Sequence, residues 1–290
     1  MATPKIGIIG GSGLYHMEKL TKLNEHNEIT PYGYTSAPIV EGKLDGLEAN
    51  LFFLPRHGIG HKLNPSEVPY QANIWAMKNL GVEWIISVSA VGSLREDIAP
   101  GDMVIIDQFI DRTKNRPSTF FHSGVVAHAS FGDPVCGVLR QYLLEATKDV
   151  TEKMHDGGTY VCMEGPAFST RAESNLYRSW GASVVGMTNL PEAKLAREAE
   201  ISYSTLAMST DYDCWHPDHD DVTVDQVVAV MQKNVIVAKE IISKVIPKII
   251  AHQGKHPMDG TMNSAIITNR DAIPPKRKHD LSPIIGKYLS

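Results

Sequence analysis

The chain has 290 residues, of which 42% are hydrophobic and 21% are charged, and its formal net charge is −5 at pH 7. This length allows one large domain or two small ones, and it is enough for a substantial hydrophobic core. The acidic balance argues against a general nucleic-acid-binding protein, which would usually be basic, but a local positive pocket can still bind a small anion.

Cysteine usage and hydropathy indicate where such a protein works. The three cysteines are Cys136, Cys162 and Cys214, widely spaced and without a CxxC pair for zinc or redox chemistry. Free cysteines are typical of a reducing compartment. Neither a secretory leader nor a stretch of roughly 20 apolar residues is recognisable, so the sequence predicts a cytoplasmic protein without a membrane partner.

Short apolar runs and helical periodicities alternate along the chain. Apolar runs predict buried strands at 6–9, 49–54, 84–88, 103–106, 183–187 and 202–208. Between the first two, 18–33 has the composition of a weak helix. Helical spacing predicts helices over 70–78, 172–177, 190–198 and 222–250, and the polar residues 251–263 predict a surface loop. Because strands alternate with helices, the fold class is α/β.

Several of the predicted strands end in short polar clusters. These are GGSG at 10–13, RHGIGH at 56–61, SAVGS at 89–93, EGPAFS at 164–169, MTN at 187–189 and STDYD at 209–213. In open α/β sheets, ligands bind beyond the carboxyl ends of the strands. The clusters therefore predict one composite pocket.

The glycine turn at 10–13 does not match a dinucleotide fingerprint. His16 occupies the position of the third glycine, and the Gly-Lys-Ser/Thr ending of a P-loop is also missing. Two interpretations remain open. The segment is either a plain glycine turn or a phosphate nest, in which backbone N–H groups and the Ser12 hydroxyl approach an anion.

Other clusters carry donors suited to the same anion. The guanidinium of Arg56 is a planar fork of N–H groups that matches phosphate, and His57 can donate from one ring nitrogen. With Ser12, Ser89 and Thr188 they would form a phosphate cradle that needs no metal. HPDHDD at 216–221 could chelate a cation, but a solvated loop explains it more simply.

Asp211 and Asp213 are the acidic candidates. On an extended backbone, residues two apart point the same way, so both carboxylates could face a heteroaromatic base. A carboxylate accepts from an exocyclic amine, and a protonated carboxyl donates to a ring nitrogen. A helix cap or turn pair is the alternative. Phe168 could stack on the base or pack in the core.

Taken in order, the motifs identify a family resemblance. GIIGGSGL, RHG…H, YQANIWA, EGP.FS.RAES and TDYDCW resemble the 5′-methylthioadenosine phosphorylases, in the trimeric branch of the purine nucleoside phosphorylase superfamily. The resemblance implies one phosphorylase domain over 1–250, with a central mixed β-sheet flanked by helices. It also implies a homotrimer with sites at subunit interfaces. The segment 251–290 is expected to pack on the same domain or on a neighbouring subunit.

The resemblance implies a reaction as well. The expected activity is phosphorolysis of S-methyl-5′-thioadenosine to adenine and 5-methylthioribose 1-phosphate, in purine and methionine salvage, by a pentosyltransferase. Inorganic phosphate would be a co-substrate, and no cofactor or metal is expected. Phosphorylases of 6-oxopurine nucleosides or of methylthioinosine are alternatives, although the former usually carry asparagine where Asp211 stands. A non-catalytic nucleoside-binding module would be expected to lose parts of the cradle.

The same resemblance assigns site residues. Phosphate would contact Ser12, Arg56, His57, Ser89, Ala90 and Thr188. The nucleoside would contact Met187 at the ribose, Phe168 and Ser169 at the purine, Asp211 and Asp213 at the adenine N7 and 6-amino edge, and His61, Val224, Val227 and Val228 near the methylthio group. Asp211 and Asp213 would also be catalytic. His128 would reach into the neighbouring subunit's pocket.

Overall fold

The computed structural model describes residues 3–11, 13–14, 20–217 and 224–289, with the side chain of Gln226 also left aside. The strands are β1 (Lys5–Gly10), β2 (Leu20–His26), β3 (Ile29–Thr30), β4 (Gly33–Tyr34), β5 (Ile39–Leu44), β6 (Asn50–Pro55), β7 (Trp84–Ser93), β8 (Met103–Ile105), β9 (Gln108–Arg112), β10 (Met154–Asp156), β11 (Thr159–Met163), β12 (Val184–Gly186) and β13 (Ser202–Asp211). The helices are α1 (Tyr70–Asn79), α2 (Gly137–Lys148), α3 (Arg171–Ser179), α4 (Asn189–Glu198), α5 (Val224–Ile250), α6 (Pro275–Asp280) and α7 (Ser282–Ile285).

One large mixed sheet organises the part of the chain described here. The order of strands along its main path is β10-β8-β13-β7-β1-β6-β5-β2. A branch leaves this path at β7, which pairs with β12; β12 pairs with β11, and β11 pairs with β9. The pairs β1–β6, β1–β7 and β7–β13 are parallel, whereas β13–β8, β12–β7 and β5–β6 are antiparallel. The predicted α/β class with a central mixed sheet is confirmed.

Helices cover both faces of the sheet because the central strands are apolar on both sides. Along β6, Phe52 and Leu54 pack in the core shared with α1 and α4, and Leu51 and Phe53 pack in the core shared with α2 and α5. The parallel strands β1, β7 and β13 are buried almost throughout, as expected for strands with helices on each face. None of the described helices is long and apolar enough to cross a membrane.

The prediction of a weak helix over 18–33 is wrong. Leu20–His26 is an edge strand that pairs antiparallel with Ile39–Leu44. Most of its side chains are exposed, so the strand shows little apolar alternation in sequence. Backbone pairing with β5 therefore decides its conformation, and local composition does not reveal it.

Segments after α5 contact the same chain. The indole of Trp75 donates to the carbonyl of Asp280 (2.7 Å), and Arg277 donates to the carbonyl of Phe120 (2.7 Å). Glu200 accepts from the backbone N–H of Met262 (2.6 Å). These contacts fix α6 against α1 and the 119–121 segment, and they fix the loop around Met262 against Glu200, just after α4.

Candidate active site

The sheet brings four of the polar clusters to one edge. β1, β6, β7 and β13 run parallel, so their carboxyl ends lie side by side. The backbone N–H of Arg56, just after β6, donates to the carbonyl of Gly10 at the end of β1 (3.0 Å). Gly92 on β7 is in register with Asp211 on β13. The strand ends therefore converge as the sequence predicts.

The hydroxyl groups of Ser89 and Thr188 face each other across two elements. Their oxygens are 3.5 Å apart, and the Ser89 Oγ is also 3.1 Å from the phenolic oxygen of Tyr160. Thr188 precedes α4, and its side chain makes no capping hydrogen bond to that helix. The Ser89 hydroxyl donates to the carbonyl of the half-buried Ala90 over a long distance (3.3 Å). Because a hydroxyl hydrogen rotates, both hydroxyls can turn to donate to an anion.

Arg56 is buried and committed to a carboxylate. Its Nε and Nη2 donate to the two carboxylate oxygens of Glu192 (2.7 and 2.8 Å), and Nη2 also donates to Ser87 Oγ (2.7 Å). Its Nη1 donates to the carbonyl of Val88 (3.1 Å). An arginine has five N–H groups, so at least one Nη1 hydrogen has no acceptor among the described residues. The sequence suggests that the N–H groups of this guanidinium bind phosphate, but in the structure two of them donate to Glu192.

His57 is a neutral imidazole in this environment. Burial lowers its pKa to about 4, although the hydrogen bond to the carbonyl of Leu63 opposes that change. Its Nδ1 donates to Leu63 O (2.9 Å), so Nε2 carries no proton and acts as an acceptor. The ring stacks on that of His61, with centroids 4.3 Å apart. A neutral His57 can accept a hydrogen bond from the hydroxyl of a hydrogen phosphate ion through Nε2.

Asp211 and Asp213 form a turn pair, which is the alternative that the sequence leaves open beside an extended pair. β13 ends at Asp211, and Asp213 has a left-handed backbone with φ of 50°. The backbone N–H of Asp213 donates to Asp211 Oδ1 (2.8 Å), and Thr210 Oγ1 donates to Oδ2 (2.7 Å). Burial raises the pKa of both carboxyl groups. The Asp213 Oδ2 is buried without a hydrogen-bond partner among the described residues.

The 164–169 loop lies against the aspartate turn. The thiol of Cys214 donates to the carbonyl of Ser169 (3.2 Å). Phe168 is 45% exposed, so it is outside the core and its ring is free to cover a ligand. Gly165 has a φ of 67°, and a Cβ there would lie 2.5 Å from the Met187 sulfur. Glycine at 165 thus lets Met187 pack directly under the loop.

A family model for the phosphorylase superfamily matches residues 5–247. The chain belongs to the phosphorylase superfamily. This phosphorylase is 56% identical over 285 residues to the S-methyl-5′-thioadenosine phosphorylase of Geobacter sulfurreducens, and the match covers 98% of this chain and 99% of that protein. The family resemblance predicted from the motifs is confirmed.

Solved structures of related phosphorylases have the same fold. A methylthioadenosine phosphorylase from an antarctic soil metagenomic library superposes with a TM-score of 0.91 at 48% identity, covering 98% of this chain and 99% of that one. The methylthioadenosine phosphorylase from Schistosoma mansoni in complex with adenine has a TM-score of 0.85 at 36% identity, covering 91% and 99%.

Some predicted residues lie apart from this edge or outside the described part of the phosphorylase. Ser12 is outside the described residues. Val224 and Val228, on the first turns of α5, are 66% and 38% exposed, and Val227 is half-buried. Farther along α5, Val235 lies over Gly13, where a Cβ would be 3.2 Å from its methyl carbon. This contact places α5 above the glycine turn.

His128 lies in a different part of the phosphorylase. Its backbone N–H donates to the carbonyl of Ala265 (2.9 Å), and its side chain is exposed. It lines an open cavity of about 390 Å³ with Ser118, Thr119, Phe121, Val126, Ala127, Ala129, Phe131, Lys194 and Glu198. The other predicted site residues do not line this cavity.

Sequence reasoning missed three residues that organise the site. Tyr160 orients Ser89, Glu192 binds Arg56, and Arg116 donates to the carbonyls on both sides of Thr188. No local pattern in the sequence marks Tyr160 or Arg116. Glu192 stands close to the MTN cluster but was not assigned a role.

The described residues contain no group of three or more His, Cys, Asp or Glu side chains that could hold a metal ion. Most of the HPDHDD segment, residues 218–221, lies outside the described part of the chain.

Proposed function

We propose that this phosphorylase catalyses phosphorolysis of S-methyl-5′-thioadenosine, giving adenine and 5-methylthioribose 1-phosphate. Relatives of that name match it over nearly the whole chain. The observation that carries the proposal is that hydroxyl groups suited to phosphate and carboxyl groups suited to a purine base follow from neighbouring strands of the sheet. The hydroxyl groups of Ser89 and Thr188 lie 3.5 Å apart. Ser89 is on β7 three residues before Gly92, and Gly92 is in register with Asp211 on β13.

The phosphate half of this edge would hold the nucleophile. Ser89 and Thr188 donate to phosphate oxygens, and the glycine turn with Ser12 adds donors from β1. The buried charge of Arg56 would favour an anion nearby, although Glu192 offsets much of that charge. Neutral His57 would accept from the hydroxyl of hydrogen phosphate through Nε2. Fixed donors of this kind stabilise charge without reorganising during the reaction.

The aspartate half of this edge would bind the base. Asp211 and Asp213 would both lie at the N7 and 6-amino edge of adenine, and the unpartnered Oδ2 of Asp213 is suited to accept from the 6-amino group. Because burial raises the pKa of Asp211, its carboxyl can share a proton with the adenine N7 as negative charge develops on the leaving base. The exposed ring of Phe168 would cover the purine, and Met187 would lie against the ribose.

The reaction then balances without another reagent. The bond from C1′ to N9 breaks, a phosphate oxygen bonds to C1′, and the proton of hydrogen phosphate ends on adenine. Holding phosphate and nucleoside in line removes much of the entropic barrier. His61 and the α5 residues Val224, Val227 and Val228 would surround the methylthio group.

Turnover with four nucleosides tests this proposal. The protein is incubated with S-methyl-5′-thioadenosine, adenosine, inosine and methylthioinosine, with and without phosphate, and free base is measured. We expect phosphate-dependent release that is fastest for S-methyl-5′-thioadenosine. Base release without phosphate would contradict phosphorolysis, and faster turnover of inosine would contradict the 6-amino preference.

The proposal extends to a cytoplasmic homotrimer in purine and methionine salvage, with phosphate as the co-substrate and no metal or cofactor. The position of His128 supports sites shared between subunits, since it is exposed and lines a cavity apart from the strand-end edge. From there it would serve the pocket of another copy.

Mixing two impaired variants tests subunit sharing. An Asp211→Asn subunit has a defective pocket but a normal His128, whereas a His128→Ala subunit has the reverse. Trimers reassembled from both should recover activity above that of either variant alone. Activity equal to the average of the two would contradict sharing through His128, and sedimentation analysis would report the oligomeric state directly.

A further inference from the structure

Arg116 connects the two halves of the candidate active site. It lies on the segment after β9, and its side chain is almost wholly buried. Its Nη1 donates to the carbonyls of Met187 (2.6 Å) and Leu190 (2.9 Å), which flank Thr188. Its Nη2 donates to the carbonyl of Glu164 (2.6 Å), at the start of the loop that carries Phe168.

Only an arginine can make this set of bonds. Its five N–H groups diverge in one plane, so a single side chain reaches three carbonyl oxygens on two segments. The guanidinium also lies 5.6 Å from the ring centroid of Tyr70 and donates to its hydroxyl (3.3 Å). A lysine ammonium is a compact point charge and could reach only part of the set.

The cost of burying this charge indicates a specific role. An isolated buried cation is strongly unfavourable. Here the nearest carboxylate oxygen, of Glu164, is 3.7 Å from Nε. The shortest contacts are to the three backbone carbonyls, and the hydroxyls of Ser66 and Tyr70 follow at 3.3 Å. The energy of the guanidinium therefore depends on keeping the 187–190 turn and the 164–169 loop in their present relative positions.

We propose that Arg116 is a positioning residue that couples the phosphate side of the site to the base side, an inference that rests on the proposed function. Phosphate on Thr188 orders the 187–190 turn, and the Arg116 bonds transmit this order to the loop bearing Phe168 and Ser169. Bound phosphate thus prepares the loop for the base. By reciprocity, a bound nucleoside raises the affinity for phosphate.

Arg116→Lys tests the coupling in the full-length enzyme. We expect the KM for phosphate and the KM for nucleoside both to rise. We also expect the factor by which saturating phosphate tightens nucleoside binding to fall about 10-fold, within the usual range of coupling between sites. Arg277→Lys is the matched control. It also alters a buried arginine that donates to a backbone carbonyl, but at Phe120. The control should lose stability and keep both KM values.

Hydrogen exchange on the unmodified protein keeps the inference testable if Arg116→Lys does not fold. Inorganic phosphate alone should slow amide exchange in 164–169 as well as in 187–190. Protection confined to 187–190, or unchanged KM values in a folded Arg116→Lys, would overturn the coupling. A wild-type protein without phosphate-dependent base release would instead overturn the proposed function, so the two failures are distinguishable.

Discussion

Arg56 and Glu192 form a two-point ion pair in the interior, with Nε and Nη2 of the guanidinium 2.7 and 2.8 Å from the two carboxylate oxygens. Glu192 also accepts from Ser87 Oγ and from the hydroxyl of Tyr203, both at 2.9 Å. The pair and its hydrogen bonds raise the pKa of Arg56 above its ordinary value, against the effect of burial. The guanidinium is thereby held charged beneath the candidate phosphate site.

Glu192→Gln should weaken both stability and phosphate binding. Removing one partner of a buried ion pair leaves an uncompensated charge and costs about 3–5 kcal/mol in the free energy of unfolding. The freed Arg56 would also lose its fixed position, so the KM for phosphate should rise. Denaturant unfolding and phosphate titration measure the two effects.

The control for this substitution is Asp97→Asn, whose partner Arg95 is exposed. Exposed pairs contribute little, so the control should change the free energy of unfolding by about 0.5 kcal/mol or less. A Glu192→Gln protein as stable as the control would show that the buried pair makes no net contribution.

Tyr160→Phe should weaken the binding of phosphate and leave the binding of nucleoside unchanged. The substitution keeps the ring and removes the hydroxyl that lies 3.1 Å from Ser89 Oγ. Only glycine fits beside that hydroxyl, because a Cβ at position 186 would be 2.0 Å from it. Losing one hydrogen bond of about 1 kcal/mol should raise the KM for phosphate about fivefold, with the KM for nucleoside unchanged.

Tyr288→Phe is the matched control, since it removes a hydroxyl that donates to Glu200 (2.7 Å) far from the strand-end edge. Steady-state kinetics with each substrate varied in turn gives the comparison. Equal changes in both KM values for Tyr160→Phe would indicate a general packing defect and contradict a role through Ser89.

The sequence predicted the elements whose pattern is local. Buried strands such as β1 and β13 are near-continuous apolar runs, and polar residues such as Asp211 mark their ends. Edge strand β2 was missed because its exposed side chains leave little apolar pattern. The left-handed φ of Asp213 was also missed, because an aspartate tolerates several backbone conformations.

Contacts between distant residues could not be predicted from one sequence. Arg56 and Glu192 are 136 positions apart, so no spacing rule relates them. A planar guanidinium suits phosphate and carboxylate equally, and the fold decides which of them it binds. The bonds of Arg116 run to backbone carbonyls, which any residue type supplies and which therefore leave no mark in the sequence.

Asp211→Asn should change base preference. An asparagine amide can donate to a 6-oxo group, whereas the aspartate pair suits a 6-amino group. We expect turnover of S-methyl-5′-thioadenosine to fall about 10-fold more than turnover of methylthioinosine. Asp102→Asn, which alters a carboxylate bound to His155, is the control. Equal losses on both nucleosides would mean that Asp211 does not read the 6-substituent.

Glu198 should make stability depend on pH. Burial raises its pKa to about 7, although bonds from the Phe120 N–H and the Thr119 hydroxyl oppose the change. Between about pH 4.5 and 7 the folded protein keeps a proton that the unfolded chain releases. The Glu198 contribution to the free energy of unfolding therefore falls as pH rises through this window, by about 3 kcal/mol in all.

The pH effect of Glu198 must be separated from that of histidines. Burial lowers the pKa of His57 and His256 to about 4, so each makes the folded protein more stable as pH rises from 4 to 6.5. These contributions oppose that of Glu198, and they are shared by wild type and Glu198→Gln. The free energy of unfolding of each protein is measured from pH 4 to 8. As pH rises to about 7, the value for the wild type should fall relative to that of Glu198→Gln, and above pH 7 the difference should stay constant. A difference that is constant over this range would show that Glu198 titrates normally despite its burial.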